Sequence, residues 1–192
     1  PLATPADGPG MHYGDALFTA TSATCVTGLI VRRTGEDFTL FGQAVILCLI
    51  QLGGLGIMVF GTVLAMLVGK ELNVTTSQAM SHMVGSRAPG PSARMVKFVV
   101  GGTLLCELAG AVALYPMFAG APGADGATLH GGRAVWYSVF HSISSFCNAG
   151  FSLYSRNMME GVRAGWSEPF RDSYGVLGVM APLIVLGGLG FP

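Results

Sequence analysis

Charge falls in short stretches of this chain, and the apolar runs between them set its plan. From Phe38 to Gly69 there is no Asp, Glu, Lys or Arg. A helix needs about 20 apolar residues to cross a bilayer, so this run predicts one membrane span over residues 42–68. A second span is predicted from Lys97 to Phe118, interrupted only by Glu107, and the uncharged run Ser173–Pro192 reads as the start of a third. Between the first two lies a polar stretch, 70–97, with Lys70, Arg87, Arg94 and Lys97 against Glu71, and with Pro89-Gly90-Pro91 as a breaker. It predicts a loop with a short surface helix near 75–85. The Gly/Pro-rich Ala119–Arg133 reads as another loop.

Two further stretches, Asp15–Thr24 and Trp136–Phe146, are amphipathic and rich in Ser and Thr, and each runs on to a glycine. At about 1.5 Å per residue they are too short to cross a core of about 30 Å. They predict short helices that enter the membrane and turn back. Backbone exposed by such a turn is tolerable only where it is buried in protein or lines water.

These two stretches are copies of one another. Setting Phe18 on Phe140, an offset of 122, also aligns Ser22 with Ser144, Cys25 with Cys147 and Gly28 with Gly150. Each copy leads on to the same glycine cluster, Leu52-Gly53-Gly54-Leu55-Gly56 in one and Leu186-Gly187-Gly188-Leu189-Gly190 in the other. Repetition of this length implies two copies of one structural unit. Beside membrane-length apolar segments it points to a pseudo-symmetric transport protein.

Composition narrows the choice. Of 192 residues 51% are apolar and 10% charged, with mean hydropathy +0.59, against about 25% charged in ordinary soluble domains. The net charge of zero favours no nucleic-acid partner. Cys25, Cys48, Cys106 and Cys147 lack CxxC spacing and read as small buried packing residues rather than zinc ligands or a disulfide framework. No His/Asp/Glu constellation has triad or ligand spacing, so an enzyme is disfavoured. Four basic residues against one acid favour the cytoplasm for the 70–97 loop, which lies opposite both short helices. The chain begins at Pro1 and stops at Pro192 inside an apolar run, which reads as a fragment of a longer protein.

The chemistry of the repeated loops follows from what a cation needs. An ion leaving water loses a hydration shell that a pore must replace, and backbone carbonyls replace it without adding fixed charge. Turning successive carbonyls toward one axis requires unusual dihedrals, which glycine adopts without steric cost. Val26, Thr27 and Gly28 in the first loop, and Asn148, Ala149 and Gly150 in the second, are therefore the candidate ion-binding residues. The competing reading makes Gly28 and Gly150 ordinary helix C-cap glycines; two copies, each followed by a span, favour the pore.

With these residues in view, Thr21–Leu29, Phe41-Gly42-Gln43 and Leu49–Met58 resemble the first pore loop and inner helix of the Trk/Ktr/HKT superfamily of potassium transporters, in particular its bacterial KtrB/TrkH-type membrane subunits. Phe140–Ser152 resembles the second pore loop, and Leu186–Pro192 the next inner helix. Val68–Leu72 and Glu107–Ala111 are similar as well. The resemblance implies an all-α membrane protein of helix–re-entrant pore loop–helix repeats, here truncated. Residues 1–69 would be the first repeat without its outer helix, 70–97 a cytoplasmic loop and 98–192 the second repeat. It further implies potassium uptake across the plasma membrane by a multi-pass subunit, with no bound cofactor, potassium as the transported ion and sodium as a candidate coupling ion. The implied partners are a second copy of the subunit, a cytosolic ring of nucleotide-binding RCK-type regulatory subunits, and membrane lipid. A non-conducting membrane scaffold with degenerate pore loops is the alternative.

Other residues carry less. Glu107, the one charge well inside a span, reads as a structural anchor between repeats ahead of a functional group. Gln51 could hydrogen-bond across helices or face an aqueous cavity. His141 reads as a packing or hydrogen-bonding residue. Gly53-Gly54-x-Gly56 lies inside an uncharged run rather than after a strand, which rules out a dinucleotide fingerprint; it predicts close approach of the inner helix to the pore loop.

Overall fold

The computed structural model of the chain describes residues 10–56, 93–154 and 174–189. The surface helix expected near 75–85, most of the 70–97 loop and the first span beyond Gly56 lie outside the described residues. The described part is helical, with a single isolated β-bridge between Pro122 and Thr128. Its helices are α1 (Tyr13–Thr24), α2 (Leu40–Gly54), α3 (Ala93–Phe118) and α4 (Gly132–Phe146). A π-helical turn, Val176–Met180, then leads into α5 (Ala181–Gly188).

The expected short helices are both present and end where the sequence placed their ends, at Thr24 and Phe146. The second begins earlier than expected, at Gly132. Helix α3 starts at Ala93, inside the stretch expected to be loop, because Ala93–Lys97 contains no breaker after Pro91. Helix α2 starts at Leu40, with the Thr39 hydroxyl accepting from the Gly42 N–H at 3.2 Å as an N-cap. It ends at Gly54, and Gly56 follows at φ +75°. In the third apolar run, Pro182 lacks the N–H that would bond the Gly178 carbonyl, and its ring crowds that oxygen. The wider π turn before it relieves the conflict, and the Ala181 N–H bonds back to the Val176 carbonyl.

Among the described residues one helix is long and apolar enough to cross a membrane, Phe98–Phe118 in α3, with α2 and Val176–Gly188 shorter apolar helices. The surface of α3 is inverted relative to a soluble helix. Phe98, Leu105, Leu108 and Val112 are exposed at helical spacing, while Thr103 and Glu107 are buried. An apolar outer face over a polar inner one suits contact with hydrocarbon.

The core sits where α3 packs on α4. Phe118, Tyr137, Phe140, His141 and Tyr154 form a buried aromatic cluster, with Phe118 stacked on the His141 ring at 5.0 Å between centroids. His141 Nδ1 lies 2.8 Å from the Tyr137 carbonyl, and its Nε2 is reached by Ser152 Oγ at 3.0 Å and the Leu153 N–H at 3.4 Å. It is thus a packing and hydrogen-bonding residue, as the sequence suggested, and it ties α4 to the segment after the second loop. The two units are joined by Trp136, whose indole N–H donates to Gln43 Oε1 at 2.8 Å. On the surface, Arg133 pairs with Asp125 at 2.8 Å and holds that carboxyl below its ordinary range.

Candidate functional site

Each repeated loop starts as a helix ending. At the end of α1, Cys25 is right-handed (φ −82°, ψ 0°), Val26 is left-handed at φ +56°, and Gly28 is left-handed at φ +74°. The Val26 N–H bonds the Ala23 carbonyl at 3.2 Å, and the Thr27 N–H bonds Ser22 at 3.0 Å. This paired closure of the last turn is the Schellman motif, in which a left-handed residue lets the chain reverse. At the end of α4 the same bonds recur, Asn148 N–H to Ser145 at 3.1 Å and Ala149 N–H to Ser144 at 2.8 Å. Cys147 is right-handed, Asn148 sits at φ +57° and Gly150 at φ +71°.

The cap residues are therefore Val26 and Asn148, not the glycines, and the C-cap reading of Gly28 and Gly150 fails. The glycines stand two positions further on, so in both loops two residues of positive φ flank one of negative φ. Asn tolerates the left-handed region, but Val is β-branched and a genuine outlier there. Strain of this kind costs about 1–3 kcal/mol and persists where surrounding structure enforces it. The sequence carried no signal for Val26 in this role.

The aligned identities each have a structural task. Ser22 Oγ donates to the Leu29 carbonyl at 2.7 Å, and Ser144 Oγ donates to Phe151 at 2.6 Å. In both loops the helix hydroxyl pins the chain just beyond the glycine. The glycine clusters provide the expected close approach. A methyl group on Gly53 would overlap the Thr24 carbonyl oxygen, and one on Gly187 would overlap that of Phe146. Helices α2 and α5 thus bring a glycine against the terminal carbonyl of the short helix in their own unit. The Asn148 amide, oriented to satisfy both ends, donates to the Ile184 carbonyl at 3.1 Å and accepts from the Gly188 N–H at 3.0 Å.

The two loops meet. A Cβ built on Gly28 would lie 2.7 Å from the Ala149 carbonyl oxygen and 3.3 Å from Gly150 Cα, and one on Gly150 would lie 3.4 Å from Gly28 Cα. Positions separated by most of the chain are brought glycine to glycine, with no room for a side chain at Gly28. Beside the second loop a cavity of about 380 Å³ is lined by Ser144, Asn148, Gly150, Met180 and Ile184 among others.

Comparison with known proteins places the sequence in a family. The cation transport protein family TrkH fits residues 2–192. The chain belongs to that family. It is 38% identical over 182 residues to the Ktr system potassium uptake protein B of Vibrio alginolyticus, covering 95% of this chain and 36% of that protein. The protein of the same name from Bacillus subtilis (strain 168) is 37% identical over 185 residues, covering 94% and 37%. The potassium/sodium uptake protein NtpJ of Enterococcus hirae is 31% identical over 184 residues, covering 96% and 37%. The chain spans a little over a third of the length of these relatives.

Three expectations need correction or completion. The cysteines are not all buried packing residues: Cys25 and Cys48 are exposed, Cys106 is half-buried, only Cys147, also half-buried, packs against the core, and all are free thiols. Gln51 makes a weak contact across elements, its Oε1 4.0 Å from Cys147 Sγ, while its Nε2 is buried without a hydrogen-bonded partner. Glu107 packs on α4 of its own unit, with Oε1 3.8 Å from Cys147 Sγ and its main-chain carbonyl accepting from Ser142 Oγ at 2.6 Å, and has Gln51 of the first unit beside it.

Proposed function

We propose that this chain is part of the conducting pathway of a membrane potassium transporter. Main-chain oxygens of Val26, Thr27 and Gly28, and of Asn148, Ala149 and Gly150, would replace the water around a dehydrated potassium ion. The observation that carries this reading is the apposition of Gly28 and Gly150, each the second left-handed residue of an identical backbone turn. Alternation of positive and negative φ along a chain can turn successive carbonyls to one side, which an ordinary strand does not do. Membership of a cation transport family and relatives named for potassium uptake support potassium as cargo, and one relative is named for potassium and sodium together. We further read the protein as a multi-pass plasma-membrane subunit acting as a homodimer with a cytosolic RCK-type regulatory ring.

The test is Gly28→Ser in the full-length protein, measured as potassium-over-sodium preference in a flux assay. At φ +74° and with the Ala149 oxygen in the way, a side chain forces the loop to shift. The expected result is a loss of preference of about tenfold, the order of 1.4 kcal/mol of differential binding. Unchanged preference would remove the filter reading.

A further inference from the structure

Glu107 is the single charged residue of the Phe98–Phe118 segment and is 4% exposed. Among the described residues no cation pairs with it. Its carboxylate meets the Cys147 thiol, a weak donor, and lies beside Gln51, whose Nε2 is nonetheless outside hydrogen-bonding geometry. A carboxylate in such a place is costly unless something compensates it. Nor does it suit the helix it touches. Cys147 caps the C-terminal end of α4, where the helix already carries about half a negative charge. A group serving only to brace that helix gains nothing from being an anion there. A cation in the loop that starts at the next residue, Asn148, gains from both.

Resting on the filter reading above, we propose that Glu107 is a positioning residue of the second loop whose negative charge, set behind the Cys147 cap, tightens the hold of that loop on a permeating cation. The carboxylate does not touch the ion. It acts through the Cys147 side chain, and the cation supplies compensation that no ion pair among the described residues supplies. Gly54 of the first unit packs on Cys147, and Gly110, one turn along α3 from Glu107, sits against Ser142 and Leu183, so the helices that carry the carboxylate and the cap are closely packed.

The experiment is rubidium-tracer or potassium uptake by the full-length protein in cells lacking their own uptake systems, with KM and maximal rate determined separately. Glu107→Gln keeps the shape and removes the charge. Loss of a unit charge behind the loop predicts a rise in KM of about tenfold, with maximal rate within about twofold of the parent. Glu107→Asp, which keeps the charge, should hold KM near the parent value. The double variant Glu107→Gln with Gln51→Glu moves the charge across the cluster and should restore KM. It decides the matter if the single variant does not reach the membrane. A parental KM in Glu107→Gln, a fall in rate at constant KM, or no restoration in the double variant overturns the proposal. Gly28→Ser and Gly150→Ser run alongside separate the two readings. If they keep ion preference, the filter reading falls; if they lose it while Glu107→Gln behaves as the parent, only the role of Glu107 falls.

Discussion

In the first loop the left-handed residue at the helix end is Val26, at φ +56°; in the second it is Asn148, at φ +57°. The backbone is the same and the side chains have nothing in common. Val26 is held by packing: its Cγ2 would lie 2.9 Å from a Cβ on Gly53, and it is partly buried against the core. That burial offsets the cost of a β-branched residue in the wrong region. Asn148 is held by directional bonds to Ile184 and Gly188 of α5. Two different local solutions to one backbone shape imply that the shape itself is what the molecule requires. The shared parts are the closing bonds of the helix turn, the serine that pins the residue after the glycine, and the glycine of the following helix set on the last carbonyl.

The largest effect should come from breaking a shared part. Gly53→Ala and Gly187→Ala each drive a methyl group into a helix-terminal carbonyl oxygen, with backbone on both sides and nothing flexible to yield. Overpacking of this kind costs about 1–3 kcal/mol or more, and here it separates the short helix from its support. Both variants are expected to lose most of the monodisperse protein recovered in detergent. Gly178→Ala, with nothing within 4 Å of the added atom, is the control and should be recovered like the parent. Recovery of either cluster variant at parental yield would mean that close approach is not what holds the loops.

Exchanging the unshared parts should separate the loops. Asn148→Val loses two hydrogen bonds and puts a β-branched side chain into the left-handed region, a combined cost of about 2–4 kcal/mol. Val26→Asn relieves strain but gives up packing on Gly53, and should change stability by less than about 1 kcal/mol in either direction. Thermal melts of the purified variants check the asymmetry. Equal and large losses in both would mean that Val26 is fixed by something other than packing.

Much of this was legible in the sequence because membrane helices declare themselves by length and charge, and because the unit is stated twice. The ends of α1 and α4 and the close approach at Gly53 followed from the sequence pattern. The helix-closing role of Val26 and Asn148 did not. A left-handed valine is set by the tertiary contact with Gly53, and no local propensity announces it. An anchoring position for Glu107 was foreseen, but not its company, because Cys147 and Gln51 come to it from distant parts of the chain. The break at Leu55 was not foreseen, since glycine is tolerated inside membrane helices and an apolar run does not mark such a break.

The smallest expected difference lies in the two serines. Each hydroxyl serves one carbonyl just past the glycine, but the surroundings differ. Phe151 is 2% exposed, so losing Ser144 leaves its carbonyl without water, whereas Leu29 is 62% exposed and water can take over. Thr27 Oγ1 also stands 2.8 Å from Ser22 Oγ and offers a second hydroxyl beside the same turn. An orphaned buried acceptor costs about 1–3 kcal/mol, and an exposed hydrogen bond about 0.5–1.5. Ser144→Ala should therefore lower the melting temperature more than Ser22→Ala, and adding Thr27→Ala to Ser22→Ala should close part of the gap. Equal shifts from the two single variants would mean that burial does not distinguish the loops, and that the first is as dry as the second in the assembled protein.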